Sequence, residues 1–241
     1  MINVQSAEFF ITLITFALVY IVSVTFVGYF HAWVTEKMGD DTAAELGFLT
    51  LNPTQHIDIM GIICLVLFKI GWGARIPIDP SKIHARSRVG RWVKLYTAYW
   101  SDALAHIALA TIAMTGLILI FGPMVLQLSA DMMLNGELSH MRFAQVYPDV
   151  SSMIISIALI LIACIYLNVF LAVFSFVFYG LELLMKFLTE NSPEYAQYSS
   201  AFTFLIYFLL VLLLVTPQLR ILLVLTIYSM GLGIATLFGA L

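Results

Sequence analysis

Six ionisable side chains lie inside or at the edges of long apolar stretches, and their types are those that proteins use for proton transfer and metal binding. A charged group is costly to place in hydrocarbon, so each of them is a candidate functional residue. Imidazole and carboxylate groups can relay protons or coordinate a metal ion. The six residues are His31, His56, Asp58, Asp102, His106 and Glu182.

Asp102 and His106 are the two candidates whose spacing is most informative. A separation of four residues places both side chains on one face of a helix, where the carboxylate can hold the imidazole proton. The pair predicts either a proton relay or a metal ligand with its supporting carboxylate. The simpler interpretation, which we favour on sequence alone, is a polar pair at the start of a span that is satisfied locally.

The composition indicates where these residues must function. Of the 241 residues, 62% are apolar and 10% are charged, and the mean hydropathy is +1.00. Soluble domains carry about 25% charged residues, so we predict an all-α integral membrane protein surrounded by membrane lipids. A net charge of −3 with few basic residues argues against a nucleic-acid partner. Cys64 and Cys164 lie in apolar runs without the spacing of a metal or disulfide site.

Hydropathy divides residues 1–241, taken as a single polytopic membrane domain, into about six spans, with five or seven as alternatives. The second run is the shortest and contains Lys69, whose long side chain would have to reach the membrane surface. The spans are expected at residues 9–33, 57–72, 103–128, 152–178, 201–216 and 221–240.

The connector at residues 73–100 is basic and sets the predicted orientation. Basic loops stay on the cytoplasmic side of a membrane. We therefore expect an integral protein of a bacterial cytoplasmic membrane or an organellar inner membrane, with this connector on the cytoplasmic or matrix side. Seven of the 11 Lys and Arg residues lie between positions 69 and 94: Lys69, Arg75, Lys82, Arg86, Arg88, Arg91 and Lys94.

A series of short motifs follows a distinctive order between about residues 20 and 85. His-Ala-Trp-Val at 31–34 precedes Met-Gly-Asp-Asp-Thr-Ala at 38–43, and Leu-Asn-Pro-Thr-Gln-His-Ile-Asp follows at 51–58. Gly-Trp-Gly-Ala-Arg-Ile-Pro-Ile-Asp-Pro comes next at 71–80, and Leu-Asn-Val-Phe-Leu-Ala-Val-Phe stands further on at 167–174. The series resembles the site-2 protease family of intramembrane zinc metalloproteases.

The resemblance implies a site-2-protease-like core with a short strand-like hairpin after the first span. It places the hairpin at about residues 47–51, just before the turn signal Asn52-Pro53. The chain positions that match the family's motifs, apart from the zinc-binding helix, are Asn52, Pro53, His56, Asp58 and Asn168.

The departures from the family concern the metal ligands. The family's HExxH helix supplies two histidine ligands and a glutamate base, and here those positions read Val27-Gly28-Tyr29-Phe30-His31. The third ligand position falls near Leu183, with Glu182 one residue away as an alternative. The resemblance therefore implies a degenerate site without catalytic residues or bound zinc. We expect aromatic bulk from this stretch to occlude the former cavity, and Gly28 to let another helix approach closely.

These observations lead to one hypothesis and two alternatives. The leading one is a catalytically inactive site-2-protease-like protein, a pseudoprotease that acts as a scaffold, assembly subunit or regulator of another integral membrane protein. The first alternative is an active intramembrane metalloprotease with a non-standard metal site, built from the six ionisable residues. The second is a small transporter or proton-conducting subunit that uses the same buried groups.

Overall fold

The computed structural model describes residues 4–191 and 216–239, and these residues form nine helices and no strand. The two shortest, α2 and α3, have four residues each. The helices are α1 Val4–Met38, α2 Thr42–Glu45, α3 Pro53–His56, α4 Ile59–Phe68, α5 Arg88–Phe121, α6 Val125–Asn135, α7 His140–Val146, α8 Ser152–Asn191 and α9 Pro217–Leu237.

Four of the described helices are long and apolar enough to cross a membrane, which fits an integral membrane protein. They cover Ala7–Met38, Arg88–Phe121, Ser152–Met185 and Arg220–Leu237. The predicted spans 9–33, 103–128, 152–178 and 221–240 each correspond to one of them, although the observed helices begin or end elsewhere. The predicted span at 201–216 lies outside the described residues except for its last residue.

The core forms where α5 and α8 pack against each other and against α1. Lipid tails are as apolar as leucine, so helices in a membrane associate mainly through close packing and small residues at their interfaces. Fully or almost fully buried alanines follow this rule along both α5 and α8. They are Ala98, Ala103, Ala110, Ala113, Ala158 and Ala163.

The segment predicted to be a span at 57–72 is not confirmed as one, because its described helix is too short to cross a membrane. Its helix, α4, has ten residues and ends at Lys69 in the left-handed conformation, φ 59°. At 1.5 Å per residue it measures about 15 Å, half of a hydrocarbon core of about 30 Å. The chain then returns along α4, where a side chain on Gly61 or Gly71 would collide with the opposing backbone.

Both ends of the segment at residues 42–87 meet the same end of α1. The Asp40 carboxylate accepts a hydrogen bond from the Asp79 amide at 2.6 Å, and Lys82 pairs with Asp41 at 2.6 Å. The Lys69 ammonium donates to the carbonyl of Gly136 near the other end of α1, where Thr12 contacts Leu138. Residues 42–87 therefore enter and leave on one side, as a re-entrant segment.

The strand-like hairpin expected at residues 47–51 is not formed, because its backbone donors are used locally. The amides of Gly47 and Phe48 donate to carbonyls at the end of α2, and Gly47 has a left-handed φ of 83° that ends the helix. Extended pairing in this region is confined to one isolated antiparallel bridge between Ile57 and Gly73.

The third predicted span begins much earlier than expected. The α5 helix starts at Arg88, so the second half of the basic connector is helical. Ser87 caps this helix by accepting a hydrogen bond from the Gly90 amide at 3.0 Å. At the other end Gly122 stops it with φ 73°. We expected a connector as far as residue 100, whereas the charged residues of the first turns extend the helix beyond its apolar part.

Candidate functional site

Residues 27–31, which the resemblance aligns with HExxH, lie in the carboxy-terminal half of α1, and the inward positions among them are fully buried. Val27 and His31 both have 0% exposure. Gly28 lies between them on the buried side of the helix, whereas Tyr29 and Phe30 are only half-buried. The residues that would bear the first ligand and the base of a metalloprotease thus face the protein interior without a polar side chain.

His31 is held by a serine that the sequence interpretation did not identify. Its Nδ1 lies 2.7 Å from Ser101 Oγ, and that hydroxyl donates to the Ala98 carbonyl at 2.9 Å. Because the serine proton is used there, Nδ1 of His31 donates and Nε2 carries the lone pair. Nε2 is buried and has no hydrogen-bond partner in the described part of the chain. The Tyr179 ring packs against the His31 imidazole, with the two ring centroids 5.0 Å apart.

His56 packs directly against Gly28. The α3 helix places it there, with Pro53 at its start and Asn52 Oδ1 accepting from the Thr54 amide at 3.2 Å. His56 Nε2 lies 2.7 Å from the Thr50 carbonyl and therefore donates, which leaves the lone pair on Nδ1. That nitrogen is buried and has no partner among the described residues. A Cβ atom at position 28 would collide with it, so glycine is required there.

The remaining motif residues act as structural groups. Asp58 caps α4, since its Oδ1 accepts a hydrogen bond from the Gly61 amide at 2.7 Å. Asn52 and Pro53 begin α3. Each of these contacts fixes the start of a helix in the re-entrant segment.

Asp102 and His106 lie close together, but His106 takes its hydrogen bond elsewhere. His106 Nδ1 is 2.7 Å from Asn168 Oδ1. The Asn168 amide donates to Ser23 Oγ and to the Cys164 carbonyl, each at 2.9 Å, so the imidazole N–H is the donor to Oδ1. His106 Nε2 faces Asp102 Oδ2 at 3.8 Å, which is longer than a hydrogen bond. The sequence pair is therefore satisfied by a partner from α8.

The two candidates for a third ligand, Glu182 and Leu183, lie in different surroundings. Glu182 forms an ion pair with Arg75, whose guanidinium lies 5.1 Å from the centre of the Phe178 ring. Leu183 is buried in a separate apolar cluster that includes Ile83 and Leu95. The structure thus brings Asp58, Asp102 and His106 to one cavity and engages Glu182 in an ion pair.

A cavity of about 130 Å³ lies beside Gly28, which contradicts the occluded pocket expected from the sequence. Tyr29 and Phe30 follow Gly28 around the helix and do not line the cavity, so their bulk does not fill it. Asp58, Asp102 and His106 line it. The cavity is also lined by Trp72, Arg75, Phe174, Phe178 and Tyr179.

The donor set does not fit a catalytic zinc ion, which takes three protein ligands and an open position. Within residues 4–191 and 216–239, no three His, Cys, Asp or Glu side chains are grouped closely enough to hold a metal. His31 Nε2 and His56 Nδ1 are buried imidazole nitrogens without a hydrogen-bond partner in this part of the chain.

Comparison with known proteins gives one partial similarity. Over 59 residues the chain is 46% identical to the Bacillus subtilis (strain 168) protein called "Putative zinc metalloprotease YwhC". The aligned stretch covers 24% of this chain and 27% of that protein, so it spans about a quarter of the relative's length. No family model matches the chain, and no solved structure is significantly similar to it. Part of the chain is therefore similar to a protein named for zinc-dependent proteolysis.

Proposed function

We propose that the protein is a catalytically inactive relative of the site-2 proteases that acts as a scaffold, assembly subunit or regulator of another integral membrane protein. The contact between His56 and Gly28 carries the proposal. At the position that the resemblance assigns to the general base there is no side chain, and the His56 imidazole occupies the adjoining space. The side chain that would take a proton from a metal-bound water in the family is therefore missing from this position.

The other ligand positions support the same proposal. Val27 cannot bind a metal and is fully buried. The candidates for the third ligand are an ion-paired Glu182 and an apolar Leu183. A protein that lacks the first ligand and the base loses both the Lewis acid and the nucleophile of this chemistry.

Retention of the motifs has a structural explanation that does not involve catalysis. Asn52 and Asp58 cap helices, and the Asp40 carboxylate binds the returning chain at Asp79. The two caps fix helices within the re-entrant segment, and the Asp40 contact holds the segment at the end of α1. A frame that is maintained in this way can present its outer helix faces to lipids and to a membrane partner even though the chemistry is gone.

Zinc content and proteolysis test the loss of activity. The full chain is purified without chelators, and zinc is measured by mass spectrometry beside its His31→Ala variant. We expect no stoichiometric zinc in either protein and no cleavage of a membrane substrate above the level of the variant. Stoichiometric zinc that disappears in His31→Ala, or cleavage that depends on His31, would overturn the proposal.

The scaffold role needs a separate measurement. We expect a membrane protein to co-purify in a fixed ratio after cross-linking in the native membrane and extraction in mild detergent. The same ratio should hold for His31→Ala, because His31 is buried and cannot contact a partner directly. Recovery of the chain alone under all cross-linking and detergent conditions would refute this part of the proposal.

A specific observation favours one alternative, an active metalloprotease with a non-standard metal site. His31 Nε2 and His56 Nδ1 are both lone pairs of fully buried imidazoles, and neither has a partner in the described residues. Two imidazole nitrogens are suitable zinc ligands. The His56→Ala variant distinguishes the two functions, because this alternative requires it to lose zinc as His31→Ala does.

A further inference from the structure

The cavity beside Gly28 has chemistry that the loss of a metal site does not explain. Three acceptor groups line it: the carboxylates of Asp58 and Asp102, and the imidazole of His106. The His106 side chain is 4% exposed and that of Asp102 is 13% exposed. Because Nδ1 of His106 is the donor to Asn168, its Nε2 has a lone pair to offer to the cavity.

The charges around the cavity do not cancel. Arg75 also lines it, but its guanidinium forms an ion pair with Glu182. Asp58 receives a hydrogen bond from the Gly61 amide, and a backbone amide does not neutralise a carboxylate. In the described part of the chain, the ion-pair partner of Asp102 is His106, whose Nε2 lies 3.8 Å away. Two carboxylates therefore leave a negative cavity within a membrane-embedded bundle, where a cation with N–H donors would be stabilised most strongly.

Aromatic side chains also line the cavity, together with Val24, Leu171 and Ser175. Trp72 and Phe174 are stacked with ring centroids 5.5 Å apart, and Phe174 and Phe178 continue the stack at 5.7 Å. Aromatic surfaces favour the alkyl part of an organic cation and attract its charge through the ring quadrupole. The volume, about 130 Å³, is close to that of an engineered cavity of about 150 Å³ that holds benzene. A small organic cation fits, whereas a sugar-sized one does not.

We propose that this cavity binds the primary ammonium group of a small alkyl amine, with Asp58, Asp102 and His106 Nε2 accepting its three N–H bonds. The alkyl chain lies against Trp72 and Phe174. The ammonium belongs either to a free amine or to the ethanolamine headgroup of a phospholipid, which share this chemistry. The proposal is independent of the pseudoprotease function, since it needs neither zinc nor a partner protein.

Binding of n-propylammonium to the full chain tests the proposal directly. The protein is placed in nanodiscs of phosphatidylcholine, and binding is followed by calorimetry and by tryptophan fluorescence at constant ionic strength. We expect saturable binding and a fluorescence change that disappears in Trp72→Phe, while the calorimetric signal remains. N-methylglucamine is too large and should not bind. Tetramethylammonium lacks N–H donors and should bind about tenfold more weakly.

Variants assign the binding to the proposed groups. Asp102→Asn should raise the Kd for n-propylammonium at least about tenfold, which corresponds to about 1.4 kcal/mol. Asp58→Asn keeps the oxygen that caps α4 and should weaken binding without disturbing the fold. The matched control is Asp131→Asn, which removes an exposed carboxylate paired with Arg142 and should leave the Kd unchanged.

One comparison identifies the source of the amine, and other outcomes would contradict the proposal. If nanodiscs with phosphatidylethanolamine raise the apparent Kd for n-propylammonium, the lipid headgroup occupies the site; an unchanged Kd assigns the site to free amines. The absence of saturable binding would overturn the proposal. So would equal Kd values for tetramethylammonium and n-propylammonium, or a folded Asp58→Asn variant and a folded Asp102→Asn variant that both bind as the wild type does.

Discussion

At the scale of single residues, Gly28 allows His56 of α3 to pack directly against α1. The glycine is buried within α1, and the His56 ring packs against its Cα. The sequence indicated that something approaches α1 at this point, because a glycine inside an apolar helix permits close contact. It could not indicate that the approaching group is a histidine of α3, since that contact depends on how the re-entrant segment folds back.

Gly28→Ala should destabilise the protein by about 1 to 3 kcal/mol. An alanine gains about 1 kcal/mol of helix propensity over glycine. Against this, overpacking costs about 1 to 3 kcal/mol, and displacement of His56 breaks its hydrogen bond to Thr50, worth about 1 kcal/mol. The collision therefore prevails, and the thermal unfolding midpoint in detergent should fall.

Two further variants make the Gly28 prediction specific. Gly233→Ala is the matched control, because a Cβ at that helical position meets no atom within 4 Å, and its midpoint should stay the same or rise. Adding His56→Ala to Gly28→Ala should recover part of the lost stability, since the colliding ring is removed. A Gly28→Ala protein as stable as Gly233→Ala would contradict the close contact between α1 and α3.

At the scale of elements, the re-entrant segment decides the topology. A run of 16 mostly apolar residues at 57–72 has the same hydropathy whether it crosses the membrane or turns back. The difference lies in distant contacts, between Asp40 and Asp79 and between Asp41 and Lys82. Sequence spacing carries no information about those pairs, so hydropathy alone could not distinguish a span from a segment that turns back. The helix caps at Asn52 and Ser87, in contrast, are residue types typical of N-caps.

Thiol labelling distinguishes the two topologies. In a Cys64→Ala/Cys164→Ala background, single cysteines are introduced as Glu45→Cys, Ser81→Cys and Asp131→Cys and exposed to a membrane-impermeant maleimide from one side at a time. Glu45→Cys and Ser81→Cys should label from the same side, because residues 42–87 enter and leave at one end of α1. Asp131→Cys should label from the opposite side. Labelling of positions 45 and 81 from opposite sides would restore the span at 57–72.

The ion pair between Asp41 and Lys82 should make the start of this segment sensitive to pH. Hydrogen bonding from the Lys82 ammonium lowers the pKa of Asp41, and the same bond, with help from Glu45, raises the pKa of Lys82. A carboxylate with a lowered pKa stabilises the fold above its unfolded value, about 3.9, and loses that contribution as the pH falls through its folded pKa. The lysine contribution is present below about pH 10.4 and is lost as the pH rises further.

Hydrogen exchange of residues 41–48 measures this pH dependence. Both charged groups are exposed to solvent, so the pair contributes little to global stability, and local opening is the sensitive quantity. After correction for intrinsic exchange rates, Lys82→Met should open more readily than the wild type at pH 7. The difference should shrink as the pH falls below about 3.9, because Asp41 is protonated as the pH passes through its lowered folded pKa. A difference that does not shrink at any acid pH at which both proteins stay folded would exclude the ion pair as its cause.

At the scale of the whole molecule, the sequence predicted the class of protein better than its site. Hydropathy identified the regions that form α1, α5, α8 and α9, because a long apolar run has few alternatives to a membrane helix. The site depends on side chains that arrive from separate helices. Asn168 bonds to His106 across 62 positions and Ser101 to His31 across 70, and neither pairing has a signal in the spacing.

Removal of metal should leave the stability of the whole bundle unchanged, because its core contacts are side-chain packing and hydrogen bonds. A ligand present at 100 times its Kd stabilises the folded state by about 2.7 kcal/mol, and for a protein of this size each kcal/mol moves the unfolding midpoint by about 2 to 4 °C. A zinc-binding protein should therefore lose about 5 to 10 °C on chelation. We expect the wild type and Val27→Ala, whose side chain cannot bind metal in either form, to keep their midpoints in excess chelator and after zinc addition. A drop of several degrees that added zinc reverses, and that His31→Ala abolishes, would show that the bundle still relies on a metal ion.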